Sequence, residues 1–295
     1  MRLIFDVVRD GLFSINSIAE QMAEARTQVT TGRRINQASD DPLGTALAIG
    51  EHGTIATIDA YTGTANAASS RLAAADTVLT HFIDKLTAAI TTTAGARGST
   101  ATAEIRTAAS QQLRGLRDSL LGDINAKFGG TFLFSGSETT TAAYAQVGGA
   151  WTYQGDAVAV QLEVENGRRV GVTIDGQALA QGSDTTDLFT ALDDLATAVD
   201  NNDQPAIQAG MDALERAFDR AVSAQSRVGI DERGVDDATA RLSALRLAAE
   251  ARRSELEDAN LAEAIAKMNE ADTSYRAALG AVSTAERLSL LDYLK

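Results

Sequence analysis

The sequence predicts a mainly α-helical protein with a small β-rich insert. Long antiparallel helices, in a coiled coil from both termini, carry a central α+β outer domain. Three observations predict this class. Apolar residues recur at alternating steps of three and four over stretches much longer than the usual helix of about 11–12 residues. Only 2 prolines interrupt 295 residues. The period changes to two in the middle, between Trp151 and Ile174.

The N-terminal stretch carries Phe5, Val8, Leu12, Ile15, Ala19, Met22, Arg26 and Val29 in heptad a/d spacing. About 25 helical residues span roughly 37 Å, and Gly32 offers a C-cap. Pro42 suits a helix first turn, so Asp40 or Asp41 is the expected N-cap of the second helix. A second seam runs Leu47, Ile58, Tyr61, Ala65, Ala68, Leu72, Ala75, Leu79, Phe82, Leu86 and Ala89, a helix of about 45 residues and roughly 68 Å. After a break at Gly95–Ser99, Ile105, Ala109, Leu113, Leu116, Leu120, Ile124 and Phe128 make a third helix, antiparallel to the second and stopped by Gly129-Gly130. Thr131–Phe134 then reads as a short aromatic strand.

Val158, Val160, Leu162 and Val164 alternate with polar or small residues, as do Val170, Val172 and Ile174 after Asn166-Gly167. A plain two-residue turn would set Val164 opposite Arg169. A three-residue loop, Glu165-Asn166-Gly167, pairs 162 with 170, 160 with 172 and 158 with 174, all apolar, and burial selects that register. Gly167 supplies the positive φ of a type I turn plus bulge.

Helices return with Leu188, Leu192, Leu195 and Val199, a turn at Asp200–Pro205, and Ile207, Met211, Leu214, Phe218 and Val222. The C-terminal region shows one stripe of Leu242, Leu245, Ala249, Arg252 and Leu256. A second holds Leu261, Ile265, Met268, Asp272, Tyr275, Leu279 and Val282, out of phase with the first across Glu257–Asn260. The division expected is a terminal coiled coil of 1–40 and 260–295, a helical rod of 41–130 and 205–259, and a β-rich outer domain of 131–204.

Composition narrows function. No cysteine excludes a disulfide scaffold, a thiol nucleophile and Cys-ligated zinc. Charges among the first twenty residues exclude a signal-peptide core, and no apolar run approaches 18 residues, so no membrane insertion is expected. The net charge of -14 disfavours nucleic acid. Residues 131–240 hold 6 basic and 18 acidic side chains, whereas both ends are nearly balanced.

No catalytic or metal constellation emerges, so neither an enzyme nor a cofactor is expected. His81 lies beside Leu79 and Phe82 on a long helix, and His52 precedes Gly53; both read as packing or surface residues. Asp200-Asn201-Asn202-Asp203 lacks the glycine and terminal acid of a calcium loop, because Pro205 and Met211 occupy those places. Gly129-Gly130 has no phosphate-loop Lys-Ser/Thr after it.

The stretch Thr31-Gly32-Arg33-Arg34-Ile35-Asn36-Gln37-Ala38-Ser39-Asp40-Asp41-Pro42 resembles the N-terminal signature of the bacterial flagellin superfamily. Asp258–Ala264, Tyr275–Leu279 and Leu288–Leu294 are similar to its C-terminal signature. Asp40-Asp41-Pro42, the run Asn125–Gly136 and the ending Ser289-Leu290-Leu291-Asp292-Tyr293-Leu294 resemble the hook–filament junction branch. Gly44 after Pro42 resembles the filament flagellins instead, which stay as the alternative, beside a non-flagellar helical scaffold.

The resemblance implies a structural subunit of the bacterial flagellum, exported by the flagellar type III apparatus with an export chaperone and without a cleaved signal. It implies an extracellular location, with hook-associated protein 1, flagellin subunits and further copies of the chain as partners. It implies that the terminal helices pair in an inner tube. The expected assembly residues are Phe5, Val8, Leu12, Ile15, Met22, Val29, Ile265, Met268, Tyr275, Leu279, Val282, Leu288, Leu290 and Leu291. Alone, such stripes have too little partner surface to offset ordering entropy, so residues 5–29 and 265–290 are expected to be mobile before docking.

Overall fold

The computed structural model describes the backbone of residues 2–98 and 101–293 and the side chains of 9–98 and 101–284. Seven helices, α1 (Arg2–Thr31), α2 (Pro42–Arg97), α3 (Ala103–Ile124), α4 (Gly176–Ala180), α5 (Leu188–Asn201), α6 (Gln204–Glu257) and α7 (Leu261–Tyr293), are described. So are six strands: β1 (Lys127–Phe128), β2 (Thr131–Phe132), β3 (Tyr144–Val147), β4 (Ala150–Tyr153), β5 (Gln161–Glu165) and β6 (Arg168–Gly171). The strands form three separate antiparallel hairpins. The chain divides into two compact units, a terminal unit of Met1–Ile58 with Ala244–Lys295, and a central unit of Asp59–Ser243.

In the terminal unit α1 packs along α7. Heptad spacing predicts these helices and one row of each seam (Ile15, Met22, Val29; Met268, Tyr275, Val282), but the alternate row lies one residue earlier than expected. The buried or half-buried positions of α1 are Gly11, Ile15, Ile18, Met22, Ala25 and Val29, with Ala19 beside them. Those of α7 include Ala264, Met268, Ala271, Tyr275, Ala278 and Val282. Leu12, Arg26, Leu261, Ile265 and Leu279, expected in the seams, are exposed instead. Close approach explains the shift. A Cβ on Gly11 would stand 2.8 Å from Val282 Cγ2, so only small side chains fit there. Gly32 ends α1 as expected, at φ +69° with its N–H donating to Gln28 O at 2.9 Å.

The central unit holds the main core. From Ile58 to Ala89 the expected stripe of α2 is buried, with Tyr61 half-buried; Leu47, in the terminal unit, is exposed. Lys85 Nζ meets Asp123 Oδ2 at 2.5 Å, and Arg97 and Thr102 flank the reversal, so α3 runs antiparallel to α2. Thr107 of α3 donates to Asp200 of α5 at 2.9 Å, and Arg117 pairs with Asp193, which makes α5 antiparallel to α3. Thr102, Asp187 and Asp203 cap α3, α5 and α6 through their side-chain oxygens, and Asn202 ends α5 in the left-handed region. Asp203 and Asn202 thus serve helix ends in the turn that faintly matched a calcium loop.

Three local expectations need correction. α3 stops at Ile124, short of Gly129-Gly130, and Phe128 belongs to β1. The cause is Asn125, whose amide donates to Tyr144 O at 2.8 Å while its Oδ1 accepts from Tyr144 N at 2.9 Å. Both glycines, at φ +57° and +84°, form the β1–β2 turn instead. The second correction concerns the β5–β6 hairpin. Leu162 pairs with Val170 as expected, and 164 does not oppose 169. The turn proper is Asn166-Gly167 between paired Glu165 and Arg168, and a bulge at Val164 restores the register. Third, the 158:174 pair does not form. Val158 is exposed, and Ile174 donates its N–H to Leu133 O at 2.9 Å.

Arg71 of α2 ties these small sheets to the helices. Its guanidinium donates to Val172 O at 2.8 Å, Thr131 Oγ1 at 2.6 Å and Phe132 O at 2.7 Å. It thereby satisfies backbone carbonyls at the sheet edges.

Candidate assembly surfaces

The Arg33–Gly44 connection begins with two arginines because the end of α6 offers carbonyls and a carboxylate. Arg33 Nη2 meets Glu257 Oε2 at 2.7 Å. Arg34 donates its backbone N–H to Glu257 O at 2.7 Å and its Nη2 to Leu256 O at 2.7 Å. Ala259 N closes the other side onto Gly32 O at 2.9 Å. The α1–α2 and α6–α7 reversals are therefore one hydrogen-bonded joint, satisfying carbonyls that helix ends leave open.

The two aspartates of the motif divide the work. Asp40 Oδ2 accepts from the backbone N–H of Asn36 and of Gln37, both at 2.9 Å. Asp41 Oδ1 accepts from Gly44 N at 2.8 Å and is the N-cap of α2, while its Oδ2 takes Arg34 Nη1 at 3.0 Å. The bonds from Gln37 and Asn36 hold the Asp40 carboxyl below its ordinary range, and those from Gly44 and Arg34 do so for Asp41. Gly44 leaves room for the capping carboxylate. A Cβ there would lie 2.4 Å from Asp41 Oδ2 and 2.8 Å from the Cδ1 of buried Ile35.

Sequence reading missed the other half of this joint. His52, in α2, places Nε2 2.9 Å from Glu257 Oε1, so Glu257 serves both Arg33 and His52. Arg252, expected as a stripe member, forms a two-point ion pair with Glu51 at 2.8 and 3.0 Å. That bond holds the Glu51 carboxyl below its ordinary range. No motif marks Glu257; only the folded reversal brings it within reach of Arg33, some 220 positions away.

The expected assembly residues fall into three groups. Ile15, Met22, Val29, Met268, Tyr275 and Val282 are buried or half-buried along the paired helices. Leu12, Ile265 and Leu279 face outward, 52, 44 and 45 % exposed, with Phe13 beside Leu12 at 70 %. The side chains of Phe5, Val8, Leu288, Leu290 and Leu291 lie outside the described residues. A helix pair that leaves leucine, isoleucine and phenylalanine exposed on its outer face is suited to further packing. Among the described residues no group of three or more His, Asp or Glu side chains is placed to hold a metal, and no helix is long and apolar enough to cross a membrane.

Comparison with known proteins gives a consistent result. Residues 12–139 match the family model of the bacterial flagellin N-terminal helical region, and residues 211–294 that of the C-terminal helical region. Together they span more than two thirds of the chain. Flagellar hook-associated protein 3 of Escherichia coli (strain K12) is 26% identical over 195 residues, 62% of this chain and 61% of the relative. The chain thus spans about three fifths of the length of the curated relatives it matches. Among solved structures, a flagellar hook-associated protein from Vibrio parahaemolyticus superposes with a TM-score of 0.71 at 20% identity, covering 74% of this chain and 100% of its own. The flagellar junction protein FlgL from Legionella pneumophila superposes with a TM-score of 0.61 at 13% identity, covering 72% and 100%. These likenesses establish a shared fold.

Proposed function

This chain belongs to the bacterial flagellin family, and from that premise we propose that it is a structural, non-enzymatic subunit at the hook–filament junction of the flagellum. Support for the junction comes from the relative named hook-associated protein 3 and from the neighbour named a junction protein. The observation that carries an assembling role is the inverted burial of α1 and α7. Small residues (Gly11, Ala25, Ala264, Ala271) alternate with Ile15, Met22, Met268 and Tyr275 on their contact face, and the exposed Leu12, Ile265 and Leu279 are left for other chains.

In this reading residues 1–40 and 260–295 join an inner tube, 41–130 and 205–259 form a rod around it, and 131–204 face outward. The partners are copies of the chain, hook-associated protein 1 on one side and flagellin on the other. The chain reaches the outside through the flagellar type III export apparatus, escorted by a chaperone. Docking buries the exposed leucines and isoleucine against neighbours, coupling ordering to assembly. The contacts are heterologous and advance along an axis, so assembly is helical.

Immuno-electron microscopy of whole flagella tests the position. Label confined to one site where filament meets hook is expected. Label along the whole filament would assign the chain to the filament flagellins, the reading that Gly44 favours. Label inside cells, unchanged in an export mutant, would leave only a scaffold. Hydrogen exchange on free chain tests the coupling: weak protection is expected over 5–29 and 265–290, and strong protection there would overturn it.

A further inference from the structure

The Asp59–Ser243 unit contains a cleft of about 640 Å³ between α6, α2, the segment after β6, and α4. That volume falls within the roughly 300–1,000 Å³ of small-ligand sites. Its floor is apolar: Leu72, Val172, Leu179 and Val228 are buried there. Two of the five charges at its edge are already engaged. Asp175 caps α4 by accepting from Gln177 N and Ala178 N. Arg220 is held by Asp184 and by the carbonyls of Leu179 and Ala180.

Asp231 is different. It lines the cleft from α6, partly buried, and among the described residues no ion pair or hydrogen bond engages its carboxylate. Burial alone pushes this carboxyl above its ordinary 3.8, which marks a charge that has lost water and gained no partner. The other uncommitted edge groups are Asp219 and Ser223, and Arg227, which lies one helical turn away on the exposed side.

We propose that this cleft binds a primary alkylammonium group, with Asp231 as its counter-ion and the apolar floor seating the alkyl chain. The chemistry selects this class. A carboxylate can pair with an ammonium or, in a fork, with a guanidinium; the apolar floor favours the ammonium, whose charge is compact and whose stem is purely aliphatic. An alkyl tail gains from leaving water where the floor is already dry. A carboxylate ligand would meet Asp231 and Asp219 with like charge; Arg227, on the exposed side, is the one uncommitted cation among the described edge groups. The site lies wholly within the Asp59–Ser243 unit and does not depend on the flagellar reading.

Titrating the full chain with n-hexylammonium chloride at constant ionic strength tests the site, by calorimetry and by amide NMR shifts. Saturable one-to-one binding is expected, with shifts centred on 223–231 and 171–175. Asp231→Asn should weaken it by about tenfold or more, as expected when one member of a desolvated charge pair is lost. 1-Hexanol should bind similarly weakly to wild type, and hexanoate not at all. Ser223→Trp, at an exposed position on the mouth, should block entry while leaving the fold intact, and it decides the matter if Asp231→Asn does not fold. N-acetyl-lysine methylamide separates two sources: binding like that of hexylammonium assigns the site to a lysine of another polypeptide, and none assigns it to a free amine. Absence of saturation with wild type, or equal binding by Asp231→Asn, by Ser223→Trp or of hexanoate, would overturn the proposal.

Discussion

The two compact units place their large apolar residues in opposite locations. In the central Asp59–Ser243 unit Phe82, Phe134 and Phe189 are fully buried with Leu79, Leu86, Leu113, Leu120 and Leu192. In the terminal unit the buried positions are mainly Ala25, Ala48, Ala249, Ala264 and Ala271 with a few isoleucines. Among the described residues, most of its leucines and its Phe13 are outside: Leu12, Leu43, Leu47, Leu245, Leu247, Leu261 and Leu279 are exposed. Hydrophobic stabilisation scales with area removed from water, about 25 cal/mol per Å². The central unit has completed most of that transfer within one chain. The terminal unit has left much of it undone, on the faces proposed above to meet other chains.

The largest expected effect tests that contrast directly. Leu279→Asp or Leu12→Asp puts a charge on an outward face that is already in water in the free chain. Each should leave the circular dichroism and melting of the isolated chain nearly unchanged and abolish incorporation into flagella. Normal incorporation of both variants would break the comparison. Next in size is Phe189→Ala. Phe189 is fully buried, with its ring centroid 5.0 Å from that of Tyr144 and 6.3 Å from that of Trp151. Removing it should cost about 3–5 kcal/mol of stability in denaturant melts. The loss should appear in near-ultraviolet signals of the central unit.

A smaller effect sharpens the account of the alanine-lined seam. Gly11→Leu would drive side-chain atoms into Val282 and should cost about 1–3 kcal/mol in α1–α7 pairing, as overpacking does. Helical signal should fall at lower temperature in this variant, with the Asp59–Ser243 transition unmoved. The smallest effect is one of pH. Burial works against the Asp184 charge, but bonds from Arg220 at 2.8 Å and Arg216 at 2.9 Å outweigh it and hold the carboxyl below its ordinary 3.8. A lowered carboxylate pKa adds stability that is fully present above the unfolded value and is lost as pH falls through the folded one. Acid melts below about pH 4 should therefore show Asp184→Asn losing less stability than wild type. Parallel acid curves for the two would refute that assignment.

Particular residues show why some of this was readable. α2 was legible because its stripe from Ile58 to Ala89 uses large and small apolar residues at helical spacing, and one buried face repeats every 3.6 residues. The β5–β6 register was legible because a one-residue slip would have turned Leu162 and Val170 to opposite faces. The end of α3 was not. Apolar residues continue to Phe128, and the stop comes from Asn125 bonding to Tyr144, a partner 19 positions away. In the joint, Asp41 and Pro42 announced a helix start by local chemistry, whereas Glu257 was invisible until the chain folded back on itself.

Sequence by itself determined which segments are helix, where the period changes, that Asp40 or Asp41 begins α2 and where the acidic excess lies. Each depends on residues within a few positions of one another, so local spacing and backbone preference are sufficient. Only tertiary structure decided which face of α1 and α7 is inside. Hydrophobicity alone favours Leu12, Ile265 and Leu279 as seam residues, but the positions beside Ile15, Met22, Met268 and Tyr275 on the contact face are taken by the small Gly11, Ala25, Ala264 and Ala271. Packing distance is a property of two segments together, and no periodicity in either one records it.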